Sequence, residues 1–285
     1  MLTPRAIRGL LGRFLPEAVK APLRGRLFGY RAAAVDLGFR VREEGTSLLV
    51  SLDGVPRLLA PPEAREDLAY HFRDNGASVE EMHGFLRAAR EAGGLLFDVG
   101  AHRGLFSAVF SLARPENRAV GYEPSPSLAR DAEWMAEANG LGGRMTVRAA
   151  AVGAAPGRTR AATDAMGLIR LDPSPGEETF DLEVVSLDAE CARLGADPDV
   201  VKVDVEGAEA EVLRGAAGLL RRRRPLLFLE FHLDELERRG ERPEAMLDVL
   251  RAYGYSVETP LGKRLAPAAI HASAGAVVRF VARAP

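Results

Sequence analysis

Four side chains with acid–base or metal-binding capacity follow two apolar segments in the C-terminal half of the chain. Residues 201–209 read Val-Lys-Val-Asp-Val-Glu-Gly-Ala-Glu, and residues 229–232 read Leu-Glu-Phe-His. Ligands of doubly wound sheets bind outside the carboxyl ends of the strands, so we predict that both segments present their polar residues to one crevice. The predicted cluster consists of Asp204, Glu206, Glu230 and His232.

This cluster has the groups that proton transfer requires. A carboxylate or imidazole beside a substrate hydroxyl can remove its proton as the oxygen attacks an electrophile, and we assign this role to Asp204 or His232. A second interpretation applies at the start of the next helix, where Glu206 and Glu209 would favour the helix N-terminus and Lys202 would pair with one of them. For Glu209 we adopt that second interpretation.

The same cluster offers mostly oxygen donors, which would suit a Mg²⁺ ion that orients a diol substrate. The chain contains none of the HExxH, CxxC or EF-hand patterns that mark dedicated metal sites, and Cys191 is its one cysteine. We therefore predict no metal ligands, and a magnesium site is the alternative.

A glycine-containing turn follows an earlier apolar segment. Residues 97–104 read Phe-Asp-Val-Gly-Ala-His-Arg-Gly, so Gly100 would permit a tight turn before a helix whose first N–H groups are free. A dinucleotide site needs glycines where this chain has His102 and Leu105, and the turn therefore suits a nucleoside without phosphates. Glu123 ends the next predicted strand, where it would accept hydrogen bonds from two ribose hydroxyls. A solvated loop carboxylate is the alternative.

These residues depend on an alternation of strands and helices from Leu95 onward, which is typical of a parallel sheet wrapped by helices. We predict strands over residues 95–99, 119–123, 145–152, 182–187, 200–205, 226–232, 255–258 and 276–282. We predict helices over residues 104–113, 127–139, 208–220 and 245–253, with a hairpin-containing excursion over 153–180. The fold class is α/β, with a doubly wound sheet in a domain over residues 95–285.

The preceding region, residues 1–94, is predicted to be a small helical and hairpin unit. Asp53-Gly54 between apolar runs predicts a hairpin near residues 47–60, and helical spacing of apolar residues predicts a helix over 79–92. The aromatic and basic cluster at residues 70–73 is compatible with a cover over a bound substrate, but we favour a packing role for it.

The first 31 residues carry seven basic side chains and one acidic side chain. Ile7, Leu10, Leu11 and Phe14 have the spacing of an apolar helical stripe. We expect this arm to pack on its own domain. Peripheral contact with a membrane surface, an acidic partner or a second subunit is the alternative.

Composition excludes several classes of protein. With 47% hydrophobic residues, 27% charged residues and a net charge of −2, the 285-residue chain is expected to be an ordinary soluble globular protein. No uninterrupted apolar run predicts a signal peptide or a transmembrane segment, and a single cysteine points to a reducing compartment, so we expect a cytoplasmic protein. The charge balance and the lack of a basic aromatic groove make nucleic acid an unsuitable partner.

Four sequence blocks together resemble the FkbM family of S-adenosylmethionine-dependent methyltransferases. The blocks are Phe97-Asp-Val-Gly-Ala-His-Arg-Gly, Tyr122-Glu-Pro-Ser-Pro, Ala149-Ala-Ala-Val-Gly and Val201-Lys-Val-Asp-Val-Glu-Gly, followed by Leu229-Glu-Phe-His. The resemblance implies a Rossmann-like methyltransferase sheet with an antiparallel last strand. It also implies methyl transfer to a hydroxyl of a sugar, a polyketide or another small metabolite.

The resemblance assigns a cofactor-binding set to this chain. Residues of the first block would border the methionine part of S-adenosylmethionine, Glu123 would bind the ribose, and Asp204 would lie near the transferred methyl. His102 departs from the family, which often has a small polar residue there. The implied set is Asp98, Gly100, Ala101, His102, Gly104, Glu123, Pro124, Ala150 and Ala151 (the last two near the adenine), together with Asp204.

Two other functions are compatible with an α/β chain of this kind. A nicotinamide-dependent oxidoreductase is disfavoured by His102 and by the absence of a Tyr-x-x-x-Lys pair. A non-catalytic scaffold is disfavoured by the joint presence of Gly100, Glu123 and Asp204. We therefore expect a methyltransferase with a small hydroxylated acceptor.

Overall fold

The computed structural model describes residues 35–163, 169–170, 178–265 and 277–285. The basic arm and its apolar stripe lie outside these residues. Within them, no helix combines the length and the apolar composition needed to cross a membrane.

The described strands are β1 (Arg40–Glu44), β2 (Ser47–Leu52), β3 (Val55–Ala60), β4 (Leu95–Val99), β5 (Arg118–Tyr122), β6 (Met145–Arg148), β7 (Ala151–Val152), β8 (Gly157–Thr163), β9 (Ile169–Arg170), β10 (Phe180–Val185), β11 (Val200–Val203), β12 (Leu226–His232), β13 (Ser256–Glu258) and β14 (Val277–Arg283). The described α-helices are α1 (Arg65–Ala69), α2 (Gly76–Glu91), α3 (Leu105–Ala113), α4 (Pro126–Ala138), α5 (Leu187–Leu194), α6 (Glu209–Arg214), α7 (Ala217–Arg222), α8 (Leu233–Arg238) and α9 (Pro243–Ala252). A 3₁₀ turn precedes α1, and one π-helical segment, Tyr70–Asp74, follows it.

A seven-stranded sheet carries the fold, with the order β13-β14-β12-β11-β4-β5-β6. The five strands from β12 to β6 are parallel, and β14 is antiparallel to both of its neighbours. This confirms the predicted doubly wound, mostly parallel sheet with an antiparallel last strand. β14 inserts between β12 and β13, so the final strand of the chain is internal to the sheet.

The register of the central strands brings their carboxyl ends into line. Val99 is paired with Tyr122 on one side and with Val203 on the other, and Val203 is paired with Leu229. The residue that follows each paired position is therefore placed at the same edge. These four following residues are Gly100, Glu123, Asp204 and Glu230.

The two faces of the sheet are covered by separate hydrophobic clusters, because side chains alternate along each strand. Leu96, Val200 and Phe228 pack in the cluster that contains β2, β3, α2 and α3. Phe97 and Val201 pack on the opposite face with residues of α6 and α9. β11 is buried on both faces, as expected of a strand at the centre of a parallel sheet.

The structure corrects several predicted element boundaries. The strand predicted over 145–152 is two strands, and the helix predicted over 208–220 is divided into α6 and α7. Gly215 lies at this division, where a Cβ atom would overlap the carbonyl oxygen of Gly153. The hairpin near 47–60 is formed by β2 and β3 and gains β1, whose weak alternation the prediction missed. The boundary between residues 94 and 95 stays a prediction.

Candidate active site

The turn after β4 packs directly on the loop after β11. Gly100 has a φ of +80°, and its N–H and that of Ala101 both donate to the carbonyl oxygen of Tyr122, at 3.0 Å each. A Cβ atom on Gly100 would overlap the carbonyl oxygen of Asp204. Glycine is therefore required here by the left-handed conformation and by the contact between the two loops.

Glu123 is held by the backbone at the end of β5. Its Oε2 accepts from the N–H of His102 and its Oε1 accepts from the N–H of Ser125, both at 2.8 Å. Burial raises the pKa of this carboxyl to about 7, against the opposing effect of the two N–H donors. The carboxylate thus has a fixed orientation, and each oxygen retains a lone pair for a further donor.

Asp98 is the single acidic residue of the first block, and it is buried. Its Oδ2 accepts from the N–H and the hydroxyl of Ser107, at 3.1 and 2.7 Å. Its Oδ1 has no hydrogen-bond partner among the described residues. Burial raises the pKa of this carboxyl, with Lys202 opposing.

The remaining members of the implied cofactor set occupy different environments. A Cβ atom on Gly104 would collide with the side chains of Met145 and Ala132, so this glycine serves close packing against α4 and β6. His102 has a φ of +50° and a side chain that is 42% exposed. Ala101 and Ala150 are buried, whereas Pro124 and Ala151 are half-buried.

A buried ion pair lies beside the Gly100 turn. Lys202 is 2% exposed, and its Nζ lies 3.1 Å from Asp204 Oδ2 and 4.4 Å from the centre of the Phe106 ring. Burial alone would raise the pKa of Asp204, but Lys202 and His232 hold it well below its usual range. The expectation that Lys202 pairs with Glu206 or Glu209 is wrong, because the lysine shares its strand face with Asp204.

His232 is at the centre of the predicted cluster. Its Nδ1 lies 2.8 Å from Glu209 Oε1, and because a carboxylate only accepts, Nδ1 donates. Its Nε2 lies 3.3 Å from Glu206 Oε2 and 3.8 Å from both Asp204 Oδ1 and Glu230 Oε1. Burial alone would lower the pKa of His232, but these carboxylates, Glu209 first, raise it to about 9.

Glu230 connects the cluster to the last strand. Its Oε1 accepts from Arg279, which also pairs with Glu81 Oε2 at 3.2 Å. Its Oε2 is buried and has no hydrogen-bond partner within the described residues. Burial and the nearby Asp204 raise the pKa of Glu230, and the charge of Arg279 opposes this shift.

One ligand atom each from Asp204, Glu230 and His232 lie within 4.8 Å of one another, which is compatible with a metal ion by distance alone. Lys202 and Arg279 nevertheless neutralise the two carboxylates of this set. A divalent ion would have to compete with both cations. The donor set therefore favours a compensated ionic network over a metal centre.

The N-terminal region also reaches this edge of the sheet. Asp67 pairs with Arg103 at 3.1 Å and lies 3.7 Å from His102 Nδ1. The hydroxyl of Tyr70, a side chain that is 41% exposed, lies 3.3 Å from Arg279. Of the aromatic cluster at residues 70–73, Phe72 packs in the core as expected, whereas Tyr70 borders the ionic network.

The structure thus brings Asp204, Glu206, Glu230 and His232 together, as the sequence predicts. Sequence reasoning missed two members of the network, Glu81 and Arg279, and it assigned Glu209 to the helix N-terminus and not to His232. A signal was present for Arg279, since it interrupts an apolar strand and a charge in such a position needs a buried partner. Glu81 lies on a helix whose pattern gave no comparable signal.

The family model described as the methyltransferase FkbM domain matches residues 98–257, more than half of the chain. No curated protein matches the chain significantly.

Solved structures of methyltransferases are similar to this chain at low identity. Methyltransferase FkbM from Methylobacillus flagellatus KT is 16% identical, with a TM-score of 0.44 and coverage of 67% of this chain and 43% of that one. A SAM-dependent methyltransferase from Agrobacterium tumefaciens is 14% identical, with a TM-score of 0.44 and coverage of 86% and 72%. Precorrin-6y C5,15-methyltransferase from Geobacter metallireducens GS-15 is 14% identical, with a TM-score of 0.41 and coverage of 72% and 86%. The present chain thus spans less than half the length of the first of these proteins.

Proposed function

The chain belongs to the methyltransferase FkbM family, and on that premise we propose that it transfers a methyl group from S-adenosylmethionine to a hydroxyl oxygen of a small acceptor, such as a sugar or another specialised metabolite. The observation that carries this proposal is the shared edge of β4, β5, β11 and β12. Glu123, to which we assign the ribose, and the cluster of Asp204, Glu206, Glu230 and His232, to which we assign proton transfer, lie there on the two sides of one glycine turn.

The residues of the turn fit an adenosine that carries an amino-acid tail. Glu123 has an oriented carboxylate with lone pairs for two ribose hydroxyls. Asp98 Oδ1 is a buried acceptor for which the described residues provide no donor, and this suits a ligand that brings an ammonium group. The cofactor would be held by these two acidic residues and by the backbone from Gly100 to His102, with Pro124, Ala150 and Ala151 on the adenine side.

When bound, S-adenosylmethionine supplies an electrophilic methyl group, so the protein has mainly to orient an oxygen and remove its proton. Asp204 is a weak base because Lys202 stabilises its charge. His232 is the stronger base, with a pKa of about 9. We assign proton removal to neutral His232 and orientation of the acceptor to Asp204, Glu206 and Glu230.

This assignment has a kinetic consequence. A base that carries its proton at neutral pH becomes available only as the pH rises, so the rate of methyl transfer should increase through the pKa of His232. His232→Gln should remove most of the activity and leave the affinity for the cofactor unchanged. Unchanged turnover in both His232→Gln and Asp204→Asn would contradict the assignment of a base to this cluster.

Calorimetry tests the cofactor. We expect heat on titration with S-adenosylmethionine or its demethylated product, and none with NAD⁺. Glu123→Gln should weaken cofactor binding by about 10- to 100-fold, because a hydrogen bond to a charged group contributes roughly 1.5–3 kcal/mol. Glu133→Gln, which changes an exposed residue of α4, is the matched control and should bind normally. An isotherm with NAD⁺ alone would favour an oxidoreductase, and no isotherm with either compound would favour a scaffold.

Product analysis tests the acceptor. Radiolabelled S-adenosylmethionine is incubated with a panel that includes methyl glucoside, cyclohexane-1,2-diol and amine analogues of both. Label in the hydroxyl compounds supports O-methylation. Label confined to the amines would contradict it while leaving cofactor binding intact.

A further inference from the structure

We propose that Glu209 is a positioning residue, which holds the His232 ring with its proton on Nδ1 so that Nε2 presents a lone pair to the acceptor hydroxyl. This inference deepens the proposed function and rests on it for the identity of His232 as the base. It replaces the interpretation of Glu209 as a residue that merely favours a helix N-terminus.

The environment of Glu209 does not fit a helix-terminal role alone. Its side chain is fully buried, and Oε1 accepts both from His232 Nδ1 and from the N–H of Gly207, at 2.8 and 3.0 Å. Its Oε2 is buried with no hydrogen-bond partner in the described part of the chain. A carboxylate at the surface would satisfy the same helix, as Glu211 does two residues later, without the cost of an unpartnered buried oxygen.

The backbone before α6 is shaped to place this carboxylate. Glu206 and Gly207 both have positive φ values, +51° and +100°, and this left-handed pair turns the chain sharply between β11 and α6. A Cβ atom on Gly207 would meet the side chain of Glu235 on α8 at 2.5 Å. The turn is thus closely packed, and it points the N–H of Gly207 at the carboxylate that contacts His232.

The charged groups around His232 leave one orientation for its second nitrogen. Glu209 approaches from α6, Asp204 and Glu206 approach from the loop after β11, and Glu230 lies on the same strand and is itself paired with Arg279 of β14. With Nδ1 donating to Glu209, Nε2 is directed to the edge where Asp204 and Glu206 lie. The His232 side chain is 8% exposed and that of Glu206 is 65% exposed, so Glu206 lies between the buried ring and solvent.

In the transfer step, the acceptor oxygen forms its bond to the methyl carbon as its proton moves to Nε2. The electron pair of the broken carbon–sulfur bond remains on sulfur, which becomes a neutral thioether. The imidazolium then returns its proton to solvent. Throughout, Glu209 accepts the same Nδ1–H hydrogen bond, and its negative charge stabilises the imidazolium that forms.

Nitrogen NMR of the histidine rings tests the dyad without any ligand. The protein has five histidines, so ¹⁵N-histidine labelling with His232→Gln as the assignment control identifies the His232 signals. Above the pKa of His232 we expect protonated Nδ1 and bare Nε2 in the wild type. Glu209→Leu removes the acceptor and should shift the proton to Nε2, whereas Glu209→Gln keeps an oxygen in place and should preserve the Nδ1–H form with a lower pKa.

Turnover with the acceptor found in the product screen provides the second readout. Glu209→Leu should lower kcat by about 100-fold, the usual contribution of a positioned general base, with the KM for S-adenosylmethionine changed less than about 2-fold. Glu209→Gln should recover part of this loss. Glu211→Gln, on the same helix and paired with Arg214 at the surface, is the control and should match the wild type in both readouts.

The outcomes separate the two proposals. An Nδ1–H tautomer that persists in Glu209→Leu, or a kcat within about 3-fold of the wild type, would overturn the role of Glu209 while methyl transfer stands. A wild type that methylates no hydroxyl would overturn the proposed function, and the tautomer would still report on the dyad. If Glu209→Leu does not fold, an unchanged pKa and kcat in Glu209→Gln would overturn the inference.

Discussion

Replacing Lys202 with methionine tests whether the pairing of buried opposite charges at this site stabilises the folded protein. Lys202 Nζ lies 3.1 Å from Asp204 Oδ2. Burial alone would lower the pKa of Lys202, but Asp204 and, after it, Glu81, Asp98 and Glu230 raise it. Methionine keeps a stem of similar length against Phe106 but removes the cation. The carboxylate of Asp204 would then be left with its charge in a largely buried position.

The expected loss of stability follows from this environment. Breaking a buried ion pair by removing one partner costs about 3–5 kcal/mol. The side chain of Asp204 is 24% exposed, so hydration of its carboxylate offsets part of the cost of losing Lys202. The lower end of the range therefore applies. We therefore expect Lys202→Met to lower the free energy of unfolding by about 3 kcal/mol, which corresponds to a fall in Tm of roughly 6–12 °C for a chain of this size.

Urea denaturation followed by circular dichroism measures this difference at pH 7. Lys263→Met is the matched control, because Lys263 is exposed and its replacement should change the free energy of unfolding by less than about 0.5 kcal/mol. The m-values of the two variants should agree, since both bury the same surface on folding. Equal urea midpoints for the two variants would refute the reasoning, because the network would then not depend on its buried cation.

Three further predictions concern the same edge of the sheet. His232 has a folded pKa of about 9 against an ordinary value of 6.5, so its charge stabilises the protein below pH 6.5 and this contribution is lost as the pH rises to 9. The unfolding free energy of the wild type should therefore fall by about 3 kcal/mol more than that of His232→Gln between pH 6.5 and pH 9. The same pH dependence in both proteins would contradict this prediction. Gly100→Ala should lower the free energy of unfolding in urea by at least about 2 kcal/mol and abolish the heat of S-adenosylmethionine binding, because alanine at a φ of +80° is strained and its Cβ overlaps the carbonyl oxygen of Asp204. Gly140→Ala is the control for strain alone, since Gly140 has a φ of +63° and open space around it. Methyl transfer should survive exhaustive EDTA treatment, and a loss restored by Mg²⁺ would show that the cluster is a metal site after all.

Much of the fold was accessible from the sequence because the relevant signals are local. Short apolar runs alternate with amphipathic helices after Leu95, and this alternation determines a parallel sheet. In such a sheet the residue that follows each strand must lie at the carboxyl edge. Strand order alone therefore predicts, without any knowledge of side-chain contacts, that one edge carries Gly100, Glu123, Asp204 and Glu230.

The limits of prediction appear where distant elements pack together. The break between α6 and α7 lies at Gly215, a residue of low helix propensity, but its close contact with Gly153, 62 positions earlier, is visible only in the folded chain. Asp67 and Tyr70 belong to a region without a recognisable motif, yet they border the turn after β4 and the ionic network.

By itself, the sequence determined which residue types stand at the ends of which strands, and hence that Glu123 and the cluster of Asp204, Glu206, Glu230 and His232 share one edge. Only the tertiary structure decided how the charges of that cluster are paired: Lys202 with Asp204, Arg279 with Glu230, and Glu209 with His232. The reason is that strand periodicity specifies the direction of a side chain, whereas the pKa and the proton position of a buried group depend on atoms within a few ångströms of it. Those atoms come from helices and strands that packing, and not chain order, makes neighbours.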